Sequence, residues 1–236
     1  TAGVWRENKP FWIESRMKRT DNLPENRLAL AVKESLGEEA VLLRGFALSF
    51  DEELLQHIAD ITAETGAPFR QMVTPGGHTM SVAMSNCGNL GWVTDANGYR
   101  YTREDPLSGR AWPKMPAVFE QLANRAATAA GFNDFKPDAC LINKYKPGTR
   151  LTLHQDKNEA CFTAPIVSVS LGLPATFLFG GSERSHKQTR IALLHGDVVV
   201  WGGVSRLNYH GIAPLKEGMH PLAGACRYNL TFRLAG

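Results

Sequence analysis

From residue 138 onward the chain reads as short strand-like segments separated by turns, and this spacing limits the possible folds more than any other feature. The segments fall at 139–146, 151–155, 166–171, 176–179, 190–194, 197–201, 206–210 and 226–233. No helical periodicity intervenes, so a parallel sheet with alternating helices is excluded and a sandwich or jelly roll is expected. With 236 residues, 43% of them hydrophobic and 21% charged, the chain has enough apolar surface for one sizeable core and too little charge for wholesale disorder.

No stretch approaches the roughly 18 consecutive apolar residues of a membrane span. Arg6, Glu7 and Lys9 interrupt any apolar leader near Thr1, and the absence of an initiating Met reads as a trimmed start. An intracellular, cytoplasmic protein is expected, acting as a monomer away from membranes. Cys87, Cys140, Cys161 and Cys226 are far apart with no Cys-x-x-Cys pair, so buried or free thiols are expected. A net charge of +3 permits an acidic partner without requiring one.

Ahead of the strands the texture differs. Residues 1–40 are polar and read as an extension, with Asp21-Asn22-Leu23-Pro24 turning into a helix over about 25–36. Val41–Phe46 is a short β-type run. Asp51–Thr65 follows as a helix with an apolar stripe of Leu54, Leu55, Ile58 and Ile61, capped by Ser49 or Asp51. Residues 66–112, rich in Gly, Pro, Asn and aromatics, suit turns and hairpins, a texture that often carries recognition. A second helix over Met115–Ala130 ends at Gly131. The fold class is therefore α+β, with helices and a loop-rich insert packed on a double-sheet barrel.

Within Leu151–Asp156, strand alternation points His154 and Asp156 to one face, so an imidazole and a carboxylate converge. His210, on a later strand, is the best third ligand. Two His and one carboxylate on one face are the arrangement of non-haem Fe(II) oxygenases. A lone His-x-Asp is common by chance. His57, His78, His186, His195 and His220 lack such partners and default to surface or structural roles.

The segment Cys226–Arg233 alternates in the same way. Tyr228, Leu230 and Phe232 share one face, and Arg227, Asn229, Thr231 and Arg233 share the other. That polar face points either to solvent or into the barrel. Inside, two guanidinium groups require carboxylate partners, and a small dicarboxylate cofactor would satisfy both by bidentate contacts. Asn143 and Tyr145 share a face with Leu141 and would complete a polar pocket.

At these residues the chain resembles the AlkB family of Fe(II)- and 2-oxoglutarate-dependent dioxygenases that repair alkylated nucleobases. The resemblance spans roughly residues 40–236. It includes Phe69–Gly77, Met80–Met84, Pro137–Asn143, His154–Lys157, Pro165–Pro174, His195–Gly203 and Arg227–Arg233. It implies a double-stranded β-helix (jelly-roll) core over about 138–236 and a nucleotide-recognition lid over about 66–112, in a single domain of residues 41–236. His154, Asp156 and His210 would hold Fe(II). Arg227 with Tyr145 would take the distal carboxylate of 2-oxoglutarate, Arg233 with Asn229 the one beside the keto group, and Asn143 would complete the set. Trp92 and Tyr99 would stack on the extruded base and contact its phosphate, with Met84 packed nearby and Arg184 touching substrate. The family pattern has an acidic residue where this chain has Asn158, and an amide both donates and accepts, so a different base preference is expected.

The implied reaction uses molecular oxygen to demethylate 1-methyladenine or 3-methylcytosine lesions in single-stranded DNA, with RNA and damaged duplex as further partners. It releases formaldehyde and succinate. A duplex base would have to be flipped out, then stacked between Trp92 and His210. On spacing alone Trp92 is equally an ordinary core residue. Lys144, Lys146, Arg150, Lys157, Arg184 and Lys187 are candidates for phosphate contacts. Two rivals stand beside this reading: an oxygenase acting on a protein or small metabolite, and a non-catalytic jelly roll that binds nucleic acid or sugar.

Overall fold

Residues of alternating polarity place two different surfaces on the same strands, and the fold follows from burying both. The computed structural model describes residues 32–63 and 66–236. In chain order the elements are β1 (Lys33–Gly37), β2 (Ala40–Leu43), α1 (Asp51–Ile61), β3 (Arg70–Val73), β4 (Thr79–Gly88), β5 (Gly91–Asp95), β6 (Gly98–Thr102) and α2 (Ala117–Ala130). They continue with β7 (Ala139–Tyr145), β8 (Leu151–His154), β9 (Ile166–Gly172), β10 (Ala175–Phe179), β11 (Thr189–Leu193), β12 (Val198–Trp201), β13 (His210–Ile212) and β14 (Arg227–Arg233).

An eight-stranded sheet has the order β1-β2-β12-β9-β14-β7-β4-β3, and a four-stranded sheet the order β11-β10-β13-β8. β5 and β6 form a separate hairpin. The strands pair antiparallel and cross between sheets, as in a jelly roll. The fold belongs to the double-stranded β-helix class, as the strand spacing and the resemblance implied.

On the large sheet, Ile142, Val167, Val169, Val198, Leu230 and Phe232 face the helices and pack with Leu54, Ile58, Phe119 and Leu122. Phe119 meets Phe232 edge-on at a centroid distance of 5.9 Å, and truncating such a buried ring to Ala costs roughly 3–5 kcal/mol. The intervening residues face the small sheet. There Leu42, Tyr145, Ile166, Val199 and Trp201 pack with Phe177, Phe179 and Ile212. The polar residues of β14 and β7 open into this second space.

Several expectations need correction. The strand read at 206–210 is β13, beginning at His210, because a 3-10 turn at Gly203–Ser205 and a bond from Asn208 N–H to the Ser205 carbonyl occupy the preceding residues. The helix expected over about 25–36 lies partly outside the described residues, and its last third is β1. Pairing with β2, reinforced by Glu34 to Arg44 at 2.8 Å, overrides the helix-forming composition of that segment. The sheet therefore begins before residue 41, within what the sequence suggests is an extension.

α1 ends at Ile61, and neither Ser49 nor Asp51 caps it: Phe50 occupies the N-cap without a side-chain bond. α2 starts after Pro116, and Gly131 closes it at φ 102°, a left-handed conformation that favours glycine. The insert of 66–112 is more regular than its composition suggests. β3 and β4 extend the large sheet, and β4 spans ten residues. All four cysteines are free. Among the described residues no helix is long and apolar enough to cross a membrane.

Candidate active site

The small sheet brings the two histidines together. β13 and β8 pair so that His210 lies directly opposite His154, with an irregularity between His210 and Ile212. Gly211 occupies that irregularity, and a Cβ there would meet the Leu151 carbonyl oxygen at 2.7 Å, so only glycine lets the strands approach this closely. Asp156 follows β8. Its Oδ1 is 3.7 Å from His154 Nε2, and its Oδ2 is 3.7 Å from His210 Nε2. One ligand atom from each of the three residues lies within 4.8 Å of the others, a spacing that a single metal ion fits.

The tautomers favour this role. His154 Nδ1 sits 2.9 Å from the Thr152 carbonyl and His210 Nδ1 3.0 Å from that of Asn208. Each Nδ1–H is thereby donated to backbone, and each Nε2 lone pair is turned to the shared centre. Desolvation, then the neighbouring His210, pushes His154 down to about 4, so it is a neutral ligand near pH 7. Burial works against ionisation of Asp156, but Arg233 and the two imidazoles outweigh it and hold the carboxyl well below the usual range.

The polar face of β14 turns inward. Register places Arg227 opposite Tyr145, and Asn229 opposite Asn143. Arg233 donates to Asp156 Oδ2 through Nη2 at 2.7 Å and Nε at 3.1 Å. Asn229 donates to Ser168 Oγ at 2.8 Å and accepts from Asn143 at 3.2 Å. Arg227 is different: it is 1% exposed, and no carboxylate pairs with it among the described residues. Its Nη2 donates to Ser170 Oγ at 2.9 Å and its guanidinium covers the Tyr145 ring at 4.9 Å, while Nε and Nη1 have no partner. Burial lowers the Arg227 pKa and raises that of Tyr145, each opposed by the other group. A buried cation with two unanswered donors is the complement of a ligand carboxylate.

A cavity of about 820 Å³ joins these groups. All thirteen candidate residues line it: His154, Asp156 and His210; Asn143, Tyr145, Arg227, Asn229 and Arg233; Met84, Trp92, Tyr99, Asn158 and Arg184. At its edge Tyr99, 48% exposed, stacks on Trp92 at 5.9 Å. Trp92 Nε1–H donates to Asn158 Oδ1 at 3.1 Å, which directs the Asn158 amide nitrogen away from the indole. Arg184 donates to the Leu153 carbonyl at 2.9 Å. Asp156 is the only carboxylate among the described residues that line it.

Of the six basic candidates, Arg150, Lys157 and Arg184 line the cavity. Lys144 does not, because alternation puts it on the opposite face of β7, over Phe69 and Tyr228. Sequence reasoning missed His78, which lines the cavity. It also missed a cluster of half-buried Tyr101 with buried Glu159 and Arg206 behind the wall. No spacing signal links those three residues.

Comparison with known proteins agrees with this geometry. The family model of the 2OG-Fe(II) oxygenase superfamily matches residues 39–233. Alpha-ketoglutarate-dependent dioxygenase AlkB of Escherichia coli (strain K12) is 61% identical over 204 residues, covering 86% of this chain and 94% of that protein. The chain belongs to the AlkB family. It is an Fe(II)- and 2-oxoglutarate-dependent dioxygenase, and its third reactant is molecular oxygen.

Nucleic acid dioxygenase ALKBH1 of Homo sapiens is a more distant AlkB relative, 33% identical over 124 residues, which are 52% of this chain and 31% of that protein. The solved structure of OsALKBH1 superposes with a TM-score of 0.75 at 29% identity, covering 85% of this chain and 99% of that one. The donor set fits the AlkB cofactors: two imidazoles and a carboxylate suit Fe(II), and the free Nε and Nη1 donors of Arg227 suit a dicarboxylate.

Proposed function

We propose that this dioxygenase demethylates N-alkylated bases, of the 1-methyladenine and 3-methylcytosine type, in single-stranded DNA, with RNA as a further substrate. One observation carries the reading: a three-residue set of metal-ligating side chains and a buried arginine with no carboxylate partner among the described residues share one cavity with an aromatic pair, half-buried Trp92 and exposed Tyr99. The name of the human relative, a nucleic acid dioxygenase, supports the same substrate class.

In this reading His154, Asp156 and His210 hold the iron. Arg227 and Tyr145 bind the far carboxylate of 2-oxoglutarate, and Asn143, Asn229 and Arg233 surround the keto-acid end. With dioxygen, the bound cofactors supply oxidation of the N-methyl carbon, giving succinate, carbon dioxide and formaldehyde. The protein's part is orientation and exclusion of water. Trp92 and His210 sandwich the base, a contact worth about 1–3 kcal/mol per stacked base. Tyr99, Arg150, Lys157 and Arg184 meet the phosphates, while Met84 and Asn158 shape the base pocket.

The catalytic domain runs from β1 to residue 236, with the recognition lid at about 66–112. A monomer suits the reading, because one chain carries every residue assigned. Succinate release should be tested against methylated single-stranded DNA, RNA, duplex DNA, peptides and small metabolites. Stimulation by the methylated oligonucleotides supports the reading, and stimulation by a peptide or metabolite alone overturns it.

A further inference from the structure

Tyr101 and Glu159 do not line the cavity, yet they join the hairpin that carries Trp92 to the carboxylate of the metal centre. In the β5–β6 register Trp92 lies opposite Tyr101. The Tyr101 hydroxyl donates to Glu159 Oε1 at 2.7 Å. The same oxygen is 3.3 Å from Arg233 Nε, and Arg233 grips the Asp156 side chain. The other Glu159 oxygen is 3.2 Å from Arg206 Nη2. Arg206 in turn donates from Nη1 to the backbone carbonyl of Asp156 at 2.8 Å. Both handles on Asp156, one on its side chain and one on its main chain, are therefore ion-paired to a single buried carboxylate, whose Oε2 has no hydrogen bond of its own among the described residues.

Arg206 and Arg233 together balance the charges of Glu159 and Asp156, so the phenol is not needed to compensate a buried anion. What the Tyr101 hydroxyl adds is a link to the hairpin. That hairpin is a two-stranded sheet of its own, and an isolated two-stranded ribbon is marginally stable. Its placement depends on anchors, and two of them, Asn158 on Trp92 and Glu159 on Tyr101, come from adjacent residues just after Asp156.

We propose that Tyr101 and Glu159 are positioning residues that couple nucleotide binding at Trp92 to the setting of Asp156. The inference rests on the nucleic-acid reading above. Coupling is reciprocal: if the loaded metal centre draws the hairpin into place, it tightens nucleotide binding, and bound nucleotide tightens metal binding by the same factor.

The test uses Mn(II) in place of Fe(II), with 2-oxoglutarate and a labelled single-stranded oligonucleotide carrying 3-methylcytosine. Oligonucleotide affinity is measured with and without Mn(II) and 2-oxoglutarate. The wild-type protein is expected to bind about tenfold more tightly when loaded, within the usual range of coupling. In Tyr101→Phe that ratio should fall to within about twofold of unity, while Mn(II) affinity without oligonucleotide is unchanged. Tyr99→Phe is the control. It removes the hydroxyl assigned to the phosphates but keeps the ring on Trp92 and leaves Glu159 untouched, so it should weaken both affinities and keep the ratio.

A Tyr101→Phe ratio equal to wild type overturns the proposal, as does a wild-type ratio of one. Hydrogen exchange on the wild-type protein tests the same point without a variant: loading should slow exchange across Gly91–Thr102, and unchanged exchange overturns the coupling. An oligonucleotide that binds neither form removes the nucleic-acid reading itself, and the proposal with it.

Discussion

Replacing Arg227 by Met should change stability and cofactor binding in opposite directions. The guanidinium is buried, lacks an acidic partner and leaves Nε and Nη1 unanswered. Without cofactor it bears a desolvation cost that its bond to Ser170 and its contact with Tyr145 only partly offset. Exchanging a buried charge for an apolar side chain of similar volume is often neutral or stabilising by about 1–4 kcal/mol. The cofactor-free variant should therefore melt at the same temperature as the parent or above it, by roughly 2–4 °C per kcal/mol for a chain of this size.

Cofactor binding should move the other way. Hydrogen bonds to a charged group are worth about 1.5–3 kcal/mol each. Two free donors meeting one carboxylate, discounted for incomplete desolvation, give about 2–4 kcal/mol, or roughly a 30- to 900-fold rise in the KM for 2-oxoglutarate. Differential scanning calorimetry of metal-free protein and succinate assays across 2-oxoglutarate concentrations read the two effects. A variant that melts well below the parent yet keeps its KM for 2-oxoglutarate would refute the reasoning, because Arg227 would then be a structural residue.

Trp92→Ala should raise the KM for a methylated oligonucleotide by roughly 5- to 150-fold, the equivalent of one lost stack, and leave the KM for 2-oxoglutarate unchanged; an equal rise in both would argue for general damage to the lid. Asn158→Asp introduces a free carboxylate into a cavity where, among the described residues, Asp156 is the only lining carboxylate. It should shift kcat/KM by about tenfold toward cationic 3-methylcytosine over neutral 3-methylthymine, and an unchanged ratio in competition assays would show that this position does not read the base. In metal-free protein His154 takes its proton near pH 4 rather than at its usual 6.5. The unfolded chain is protonated first as pH falls, so this contribution to stability is present above pH 6.5 and lost on descending toward 4. Melting curves after metal chelation should show that slope, and His154→Ala should flatten it.

The parts of the fold that could be read from the sequence are those set by local alternation. Arg227, Asn229, Thr231 and Arg233 sit at every second position, and the strand has only two faces, so deciding which face turned inward decided the pocket. His154 and Asp156 obeyed the same rule. β1 was misread because Lys33-Glu34-Ser35-Leu36 carries helix-forming residues, and its strand state depends on β2, a partner that local periodicity does not reveal. The start of β13 was displaced because a 3-10 turn and a strand end look alike over a few residues. Tyr101, Glu159 and Arg206 come from three separated segments and meet only through the tertiary fold. No spacing rule reaches such a cluster. Arg233 also donates to Asp156, a contact between a strand and a loop that only the folded chain creates.

The most direct test of the account follows a single-stranded oligonucleotide bearing one 1-methyladenine by mass spectrometry, in the presence of Fe(II), 2-oxoglutarate and air. Formaldehyde and succinate are measured in the same tube. The account predicts loss of one methylene mass, equal yields of the two products, and no reaction in His154→Ala. Succinate formed without loss of the methyl group, or methyl loss that survives in His154→Ala, would contradict it.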